Sequence, residues 1–125
     1  MKLTDATILI GDDSILARKQ LKDVVVSFGG QTIYEASNGE DAVKLALEHK
    51  PDLIFLDLVM PIKDGITAIQ EIRSSIPDAD IVVVSSVGTQ SQLKSALESG
   101  ASDFVQKPFN TSLIKSIITS RFEGR

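Results

Sequence analysis

The sequence predicts a parallel α/β sheet with helices on both faces. Three observations carry this reading. Short apolar runs alternate five times with segments of helical periodicity, and glycine, proline or asparagine punctuates most of the junctions. Two of the runs, Leu53-Ile54-Phe55-Leu56 and Ile81-Val82-Val83-Val84, are also apolar at every position, as strands covered on both sides must be.

In chain order, Ala6–Ile10 is a β-branched run ended by Gly11-Asp12-Asp13, which suits a buried strand. Ser14 can cap the helix that follows. Ile15, Leu21, Val24, Val25 and Phe28 recur at helical spacing until Gly29-Gly30 stops them. Thr32–Ala36 reads as a second strand, and Asn38-Gly39 turns into a helix with Ala42, Val43, Ala46 and Leu47 on one face. Leu53–Leu56 is the third strand and ends at Asp57. After the loop Met60–Gly65, Ile66, Ile69 and Ile72 mark a third helix. Ile81–Val84 is the fourth strand, and Leu93, Ala96 and Leu97 mark a helix ended by Gly100. Asp103–Gln106 is a short strand stopped by Pro108, and Leu113, Ile114, Ile117 and Ile118 form the last helical stripe.

Five strand-helix units joined by right-handed crossovers leave an open parallel sheet as the expected arrangement, since closing a barrel takes eight. At 125 residues the chain, 1–125, is expected to form a single domain. With 13 basic and 17 acidic residues it has a formal charge of -4, which supplies no broad positive field for a phosphate backbone, so direct nucleic-acid binding is disfavoured. Cysteine is absent, excluding disulfide scaffolds, thiolate metal sites and thiol nucleophiles together. No apolar segment approaches the roughly 18 residues that span a bilayer, and Met1–Asp5 lacks a signal-peptide run, so membrane insertion is not expected and a cytoplasmic location is. His49, the one histidine, sits at a helix end and reads as solvated.

Ligands of open parallel sheets bind beyond the carboxyl ends of the strands. Those ends hold Asp12-Asp13, Asp57, Ser85-Ser86 and Lys107. Three carboxylates at one edge repel one another unless protonated or bound to a cation, and hard oxygen donors suit Mg2+. One aspartate can act as a nucleophile toward a phosphoryl donor while a metal and a lysine neutralise charge on the transferred group.

Five segments together carry a family resemblance: Ile8–Ser14, Asp52–Pro61, Asp64-Gly65, Val83–Ser86 and Gly100–Phe109. In this order and spacing the chain resembles the receiver domains of bacterial two-component response regulators, the chemotaxis regulators in particular. The resemblance implies a flavodoxin-like doubly wound fold with strand order 2-1-3-4-5. It implies that Asp57 is the phosphoacceptor and that Asp13 and Asp57 bind Mg2+ directly. Asp12 would act through water, and the Val59 backbone carbonyl would be a further ligand. Ser85 is the implied hydroxyl and Lys107 the cation that meet the phosphoryl group, with a cis Lys107-Pro108 bond. Phe104 is the implied switch aromatic, turning inward when Ser85 moves and remodelling the face of the fourth helix, fifth strand and fifth helix. Implied partners are a histidine kinase or phosphotransfer protein and a downstream effector or output domain, with the chain a monomer or a phosphorylation-dependent dimer.

Two departures from the family pattern matter. Gly11 stands where the family more often has an apolar or acidic residue and is expected to loosen that strand end. By the resemblance, Val59 and Val87, two residues after Asp57 and Ser85, would border the path of the hydrolytic water, and neither offers a polar group, so slow self-dephosphorylation is expected. Competing enzyme classes lack their motifs. Asp12-Asp13-Ser14-Ile15 does not have the two-residue acid spacing of haloacid-dehalogenase-like phosphatases, and no Gly-Lys-Ser/Thr phosphate loop is present. An unphosphorylated adaptor is the alternative within the family.

Overall fold

In the computed structural model, which describes residues 1–86 and 89–123, each of the five helices opens on a side-chain cap. Ser14, Asn38, Asp64, Thr89 and Asn110 accept hydrogen bonds from the amides of Ala17, Asp41, Thr67, Gln92 and Ser112. These caps fix where the chain turns from loop to helix, because each satisfies an amide that has no intrahelical partner. The helices are α1 (Ile15–Ser27), α2 (Gly39–His49), α3 (Gly65–Ser75), α4 (Gln90–Ser99) and α5 (Thr111–Arg121). They alternate with β1 (Thr7–Gly11), β2 (Thr32–Ala36), β3 (Leu53–Leu56), β4 (Ile81–Ser85) and β5 (Asp103–Gln106).

All strand pairs are parallel, in the order β2-β1-β3-β4-β5. The apolar run Leu53–Leu56 is therefore central, and its alternation feeds two separate cores. Ile54 and Leu56 join Leu9 and Val83 under Ala42, Ala46, Ala68, Ile69, Ile72 and Ala96 of α2, α3 and α4. Leu53 and Phe55 join Ile8, Ile10, Val82 and Val105 under Leu21, Val24 and Val25 of α1 and Ile114, Ile117 and Ile118 of α5. Full burial of a side chain such as Phe55 is worth about 1.5–3 kcal/mol.

Several expectations are revised. Ile15 is 76% exposed and outside the core. It begins α1 and lies about 120° around the helix from Leu21, so the sheet-facing stripe starts at Ala17 instead. Leu47, Leu93, Leu97 and Leu113 are also exposed, and α4 buries only Ala96. Gly11 does not loosen the end of β1. It is the last strand residue, paired with Ala36 and Leu56, and a Cβ there would stand 2.7 Å from Leu56 Cδ1, so a larger residue would require that side chain to shift. His49 is half-buried and stacks on Tyr34 with ring centroids 3.8 Å apart, which removes it from the solvated role. The Lys107-Pro108 bond is cis, as expected.

Arg73 of α3 ties the end of α4 to its neighbour: its guanidinium donates to the carbonyls of Gly100 and Pro77. Gln70 Nε2 adds a bond to Ser99 Oγ at 3.4 Å. Among the described residues no helix is long and apolar enough to cross a membrane.

Candidate functional site

Three backbone hydrogen bonds prolong the sheet by one residue at its carboxyl edge. The Asp12 amide donates to Ala36 O, the Asp57 amide to Gly11 O and the Lys107 amide to Ser85 O, each at 2.9 Å. These bonds extend the strand ladders into the loops and so hold the residues after β1, β3 and β5 at one level. As a result, one carboxylate oxygen from each of Asp12, Asp13 and Asp57 can lie within 4.8 Å of the others.

Lys107 lies against two of the acids. Its Nζ is 2.6 Å from Asp12 Oδ2 and 3.2 Å from Asp57 Oδ2. The Ser14 amide donates to the other Asp12 oxygen at 2.9 Å, and the Val59 amide donates to Asp57 Oδ1 at 3.3 Å. Asp12 and Asp57 are buried, whereas Asp13 is exposed. Burial pushes the Asp12 carboxyl above its ordinary value of 3.8 and the Asp57 charge adds to this, while the bonds from Lys107 and Ser14 act in the other direction. Burial alone would lower the Lys107 ammonium, but its bond to Asp12 and the charges of Asp12 and Asp57 outweigh it, and its pKa rises above 10.5. Three acids face one cation, so the edge carries excess negative charge, and its hard oxygen donors suit a divalent cation.

The remaining predicted residues are placed as follows. Ser85 closes β4 and is fully buried, while Ser86 is exposed and lines an open groove of about 730 Å3 together with Leu16, Ala17, Lys107, Pro108 and Phe109. Phe104 pairs with Val83 on β5 and is half-buried against the core under α2, α3 and α4. Val59 is 59% exposed, and its amide donates to Asp57 Oδ1. Val87 lies outside the described residues. The helix α3 starts directly against the acceptor loop: the Gly65 amide donates to Leu58 O at 2.8 Å, and a Cβ on Gly65 would strike Asp57 O and stand 2.5 Å from Leu58 Cα.

Sequence reasoning missed Arg18. Its Nη1 donates to the Asp12 carbonyl at 2.7 Å and its Nε to Glu35 Oε1 at 3.2 Å. The local signal is weak, since a basic residue one turn into a helix usually means a solvated face.

Comparison with known proteins agrees with this geometry. Residues 8–119 match the family model of the response regulator receiver domain. The chain is 41% identical over 111 residues to the chemotaxis protein CheY of Bacillus subtilis, covering 89% of this chain and 92% of that protein. It is 41% identical over 107 residues to CheY of Thermotoga maritima, covering 86% and 89%. Among solved structures, it superposes with a TM-score of 0.88 and 32% identity on a chain of the CheX-CheY-BeF3-Mg+2 complex from Borrelia burgdorferi, covering 92% of this chain and 87% of that one. An open five-stranded sheet with an acid cluster and a lysine at its carboxyl edge, matched by the family model over nearly its whole length, places this chain in the family of CheY-like response regulator receiver domains.

Proposed function

We propose that Asp57 is the phosphoacceptor of this receiver domain and that Asp12, Asp13 and Lys107 form the site that phosphorylates it. Receiver domains are phosphoacceptor switches of two-component signalling rather than catalysts acting on a separate substrate. The observation that carries the assignment is Lys107 Nζ, 2.6 Å from Asp12 and 3.2 Å from Asp57, at the edge where strands β1, β3 and β5 end.

In the proposed reaction an Asp57 carboxylate oxygen attacks the phosphorus of a phosphohistidine on a histidine kinase or phosphotransfer protein. The new P–O bond forms as the P–N bond breaks, and the imidazole leaves with the electron pair and takes up a proton. Lys107 pairs with the phosphoryl oxygens as they approach, and Ser85 contributes its hydroxyl. The three carboxylates fit a Mg2+ ion: Asp13 and Asp57 would hold it directly, Asp12 through water, and the Val59 carbonyl would be a further ligand. Bound there, Mg2+ supplies charge neutralisation that lets an anionic phosphoryl group approach an anionic site. The Borrelia relative in complex with BeF3 and Mg2+ supports this chemistry by analogy.

Phosphorylation replaces one carboxylate charge with a group of about -2 that has three acceptor oxygens. Drawing Ser85 toward it would open space into which Phe104, half-buried against the core, turns, and α4, β5 and α5 are remodelled for an effector or output domain. Shifting such an equilibrium from mostly off to mostly on takes roughly 5 kcal/mol, within reach of several charge-assisted hydrogen bonds. The chain acts as a monomer or as a dimer formed on phosphorylation. With exposed, apolar Val59 beside the acceptor, the phosphoryl group is expected to turn over slowly, and a lifetime at the short end of the family's range argues against this.

The direct test is intact-protein mass after incubation with acetyl phosphate, with and without Mg2+. A Mg2+-dependent gain of one phosphoryl group that disappears in Asp57→Ala supports the assignment. No gain where Mg2+ demonstrably binds overturns it in favour of an unphosphorylated adaptor.

A further inference from the structure

We infer that Arg18 is a positioning residue for the acid pair, setting through the Asp12 carbonyl where the Asp13 carboxylate stands. This rests on the proposed reading of Asp12, Asp13 and Asp57 as a Mg2+ site.

The Asp13 carboxylate is exposed and has no hydrogen bond or ion pair of its own among the described residues, so apart from its own side-chain torsions the backbone sets where it can reach. That backbone is gripped on both sides of Asp12. On one side the Asp12 amide donates to Ala36 O at 2.9 Å. On the other, Arg18 Nη1 donates to the Asp12 carbonyl, which belongs to the peptide unit leading into Asp13, at 2.7 Å. Arg18 is itself fixed. Its side chain is 16% exposed, and its Nε is 3.2 Å from Glu35 Oε1 on β2, with Lys22 Nζ 3.4 Å from the other Glu35 oxygen. One guanidinium thus spans α1, the end of β1 and β2. Only arginine presents several donors in a rigid fork that can hold a carbonyl and a carboxylate together; a lysine ammonium lacks that planar geometry.

The sign of the effect separates positioning from charge. Arg18 carries a positive charge bonded to the Asp12 carbonyl, next to the acid pair, so by Coulomb's law alone its removal would not weaken Mg2+ binding. Loss of the grip on the peptide before Asp13 would weaken it, and groups that orient metal ligands are typically worth about 10-fold or more in affinity.

Calorimetric titration of the whole chain with Mg2+ tests this, run at a temperature where circular dichroism shows each variant folded in EDTA. Arg18→Met and Arg18→Lys are both expected to bind Mg2+ about 10-fold more weakly, with Lys failing to rescue although it keeps the charge. Saturating Mg2+ is expected to restore phosphorylation by acetyl phosphate. Equal or tighter binding in Arg18→Met overturns the inference, as does wild-type affinity in Arg18→Lys. If Arg18→Met does not fold, Arg18→Lys decides alone. If wild type takes up no Mg2+, the metal-site reading falls first and this inference with it.

Discussion

Phe55 and Asp57 stand two residues apart and both are buried, but they belong to regions built on opposite terms. Phe55 is surrounded by the apolar side chains of β1, β4, α1 and α5, where every contact favours the fold. Asp57 shares one lysine with Asp12, within 4.8 Å reach of a third acid, so like charges are held together with a single cation between them. The body of the sheet supplies stability, and its carboxyl edge uses some of it to hold charges that would separate in water. Substitutions in the two regions should therefore differ in sign as well as size.

The largest expected effect is in the body. Phe55→Ala should lower unfolding free energy by about 3–5 kcal/mol in a denaturant titration; a loss below 1 kcal/mol would mean that the core repacks freely and the contrast is overstated. Gly65→Ala lies on the border. Its new methyl would press on Asp57 O and Leu58 Cα, so a loss of about 2 kcal/mol is expected together with slower phosphorylation.

At the edge the sign reverses. Asp57→Asn should raise stability by about 1 kcal/mol in EDTA while abolishing phosphorylation. Mg2+ at ten times its Kd should recover about 1.4 kcal/mol for wild type and much less for the variant. A destabilised Asp57→Asn protein would show that the bond from Lys107 dominates the repulsion.

Ile62 gives a comparable gain outside the acid cluster. It is a β-branched residue at φ 70, in a tight turn closed by the Lys63 amide on Pro61 O at 2.7 Å. Ile62→Asn, which tolerates that conformation, should add about 1 kcal/mol, read as a higher thermal midpoint.

The finest test is pH. The folded-state pKa of Lys107 is raised, so its contribution to stability is complete below 10.5 and is lost as pH rises through the raised value. Asp12 is also raised, so folding favours its protonated form. Its contribution is greatest at acid pH and declines as pH climbs from 3.8 through the raised value, opposite to a salt-bridged surface acid. Asp12→Asn should flatten the acid limb of the stability profile, and Lys107→Met the alkaline one.

How much of this was legible depended on whether the signal was local. Alternating strands and helices could be read because each element has its own periodicity and cap, as with Ser14 before α1 or Asn38 before α2. The acids could be read because a charge directly after a buried run needs a reason. The strand order came from resemblance to the receiver family, since hydrophobic periodicity does not say which strands are neighbours. Depth was harder. Leu93 and Leu97 have helical spacing like that of Ile69 and Ile72, but a stripe shows which face is apolar, not whether the sheet covers it. Arg18 was illegible because its partners, Asp12 and Glu35, lie on different elements and meet only in the folded chain.

The tie from Arg73 to Gly100 also has a mechanical consequence. α4 has 10 residues and is therefore about 15 Å long; it buries only Ala96, and the bonds from Arg73 and Gln70 grip it at its carboxyl end. Among the described residues the side-chain bonds from α3 to α4 lie at this end, so a tilt about it would strain them least. A tilt of about 10° around that fulcrum would carry the Gln90 end about 2.6 Å, the scale of a side chain, while Gly100 stayed still. A small displacement near the hinge would thus be magnified at the far tip of the lever.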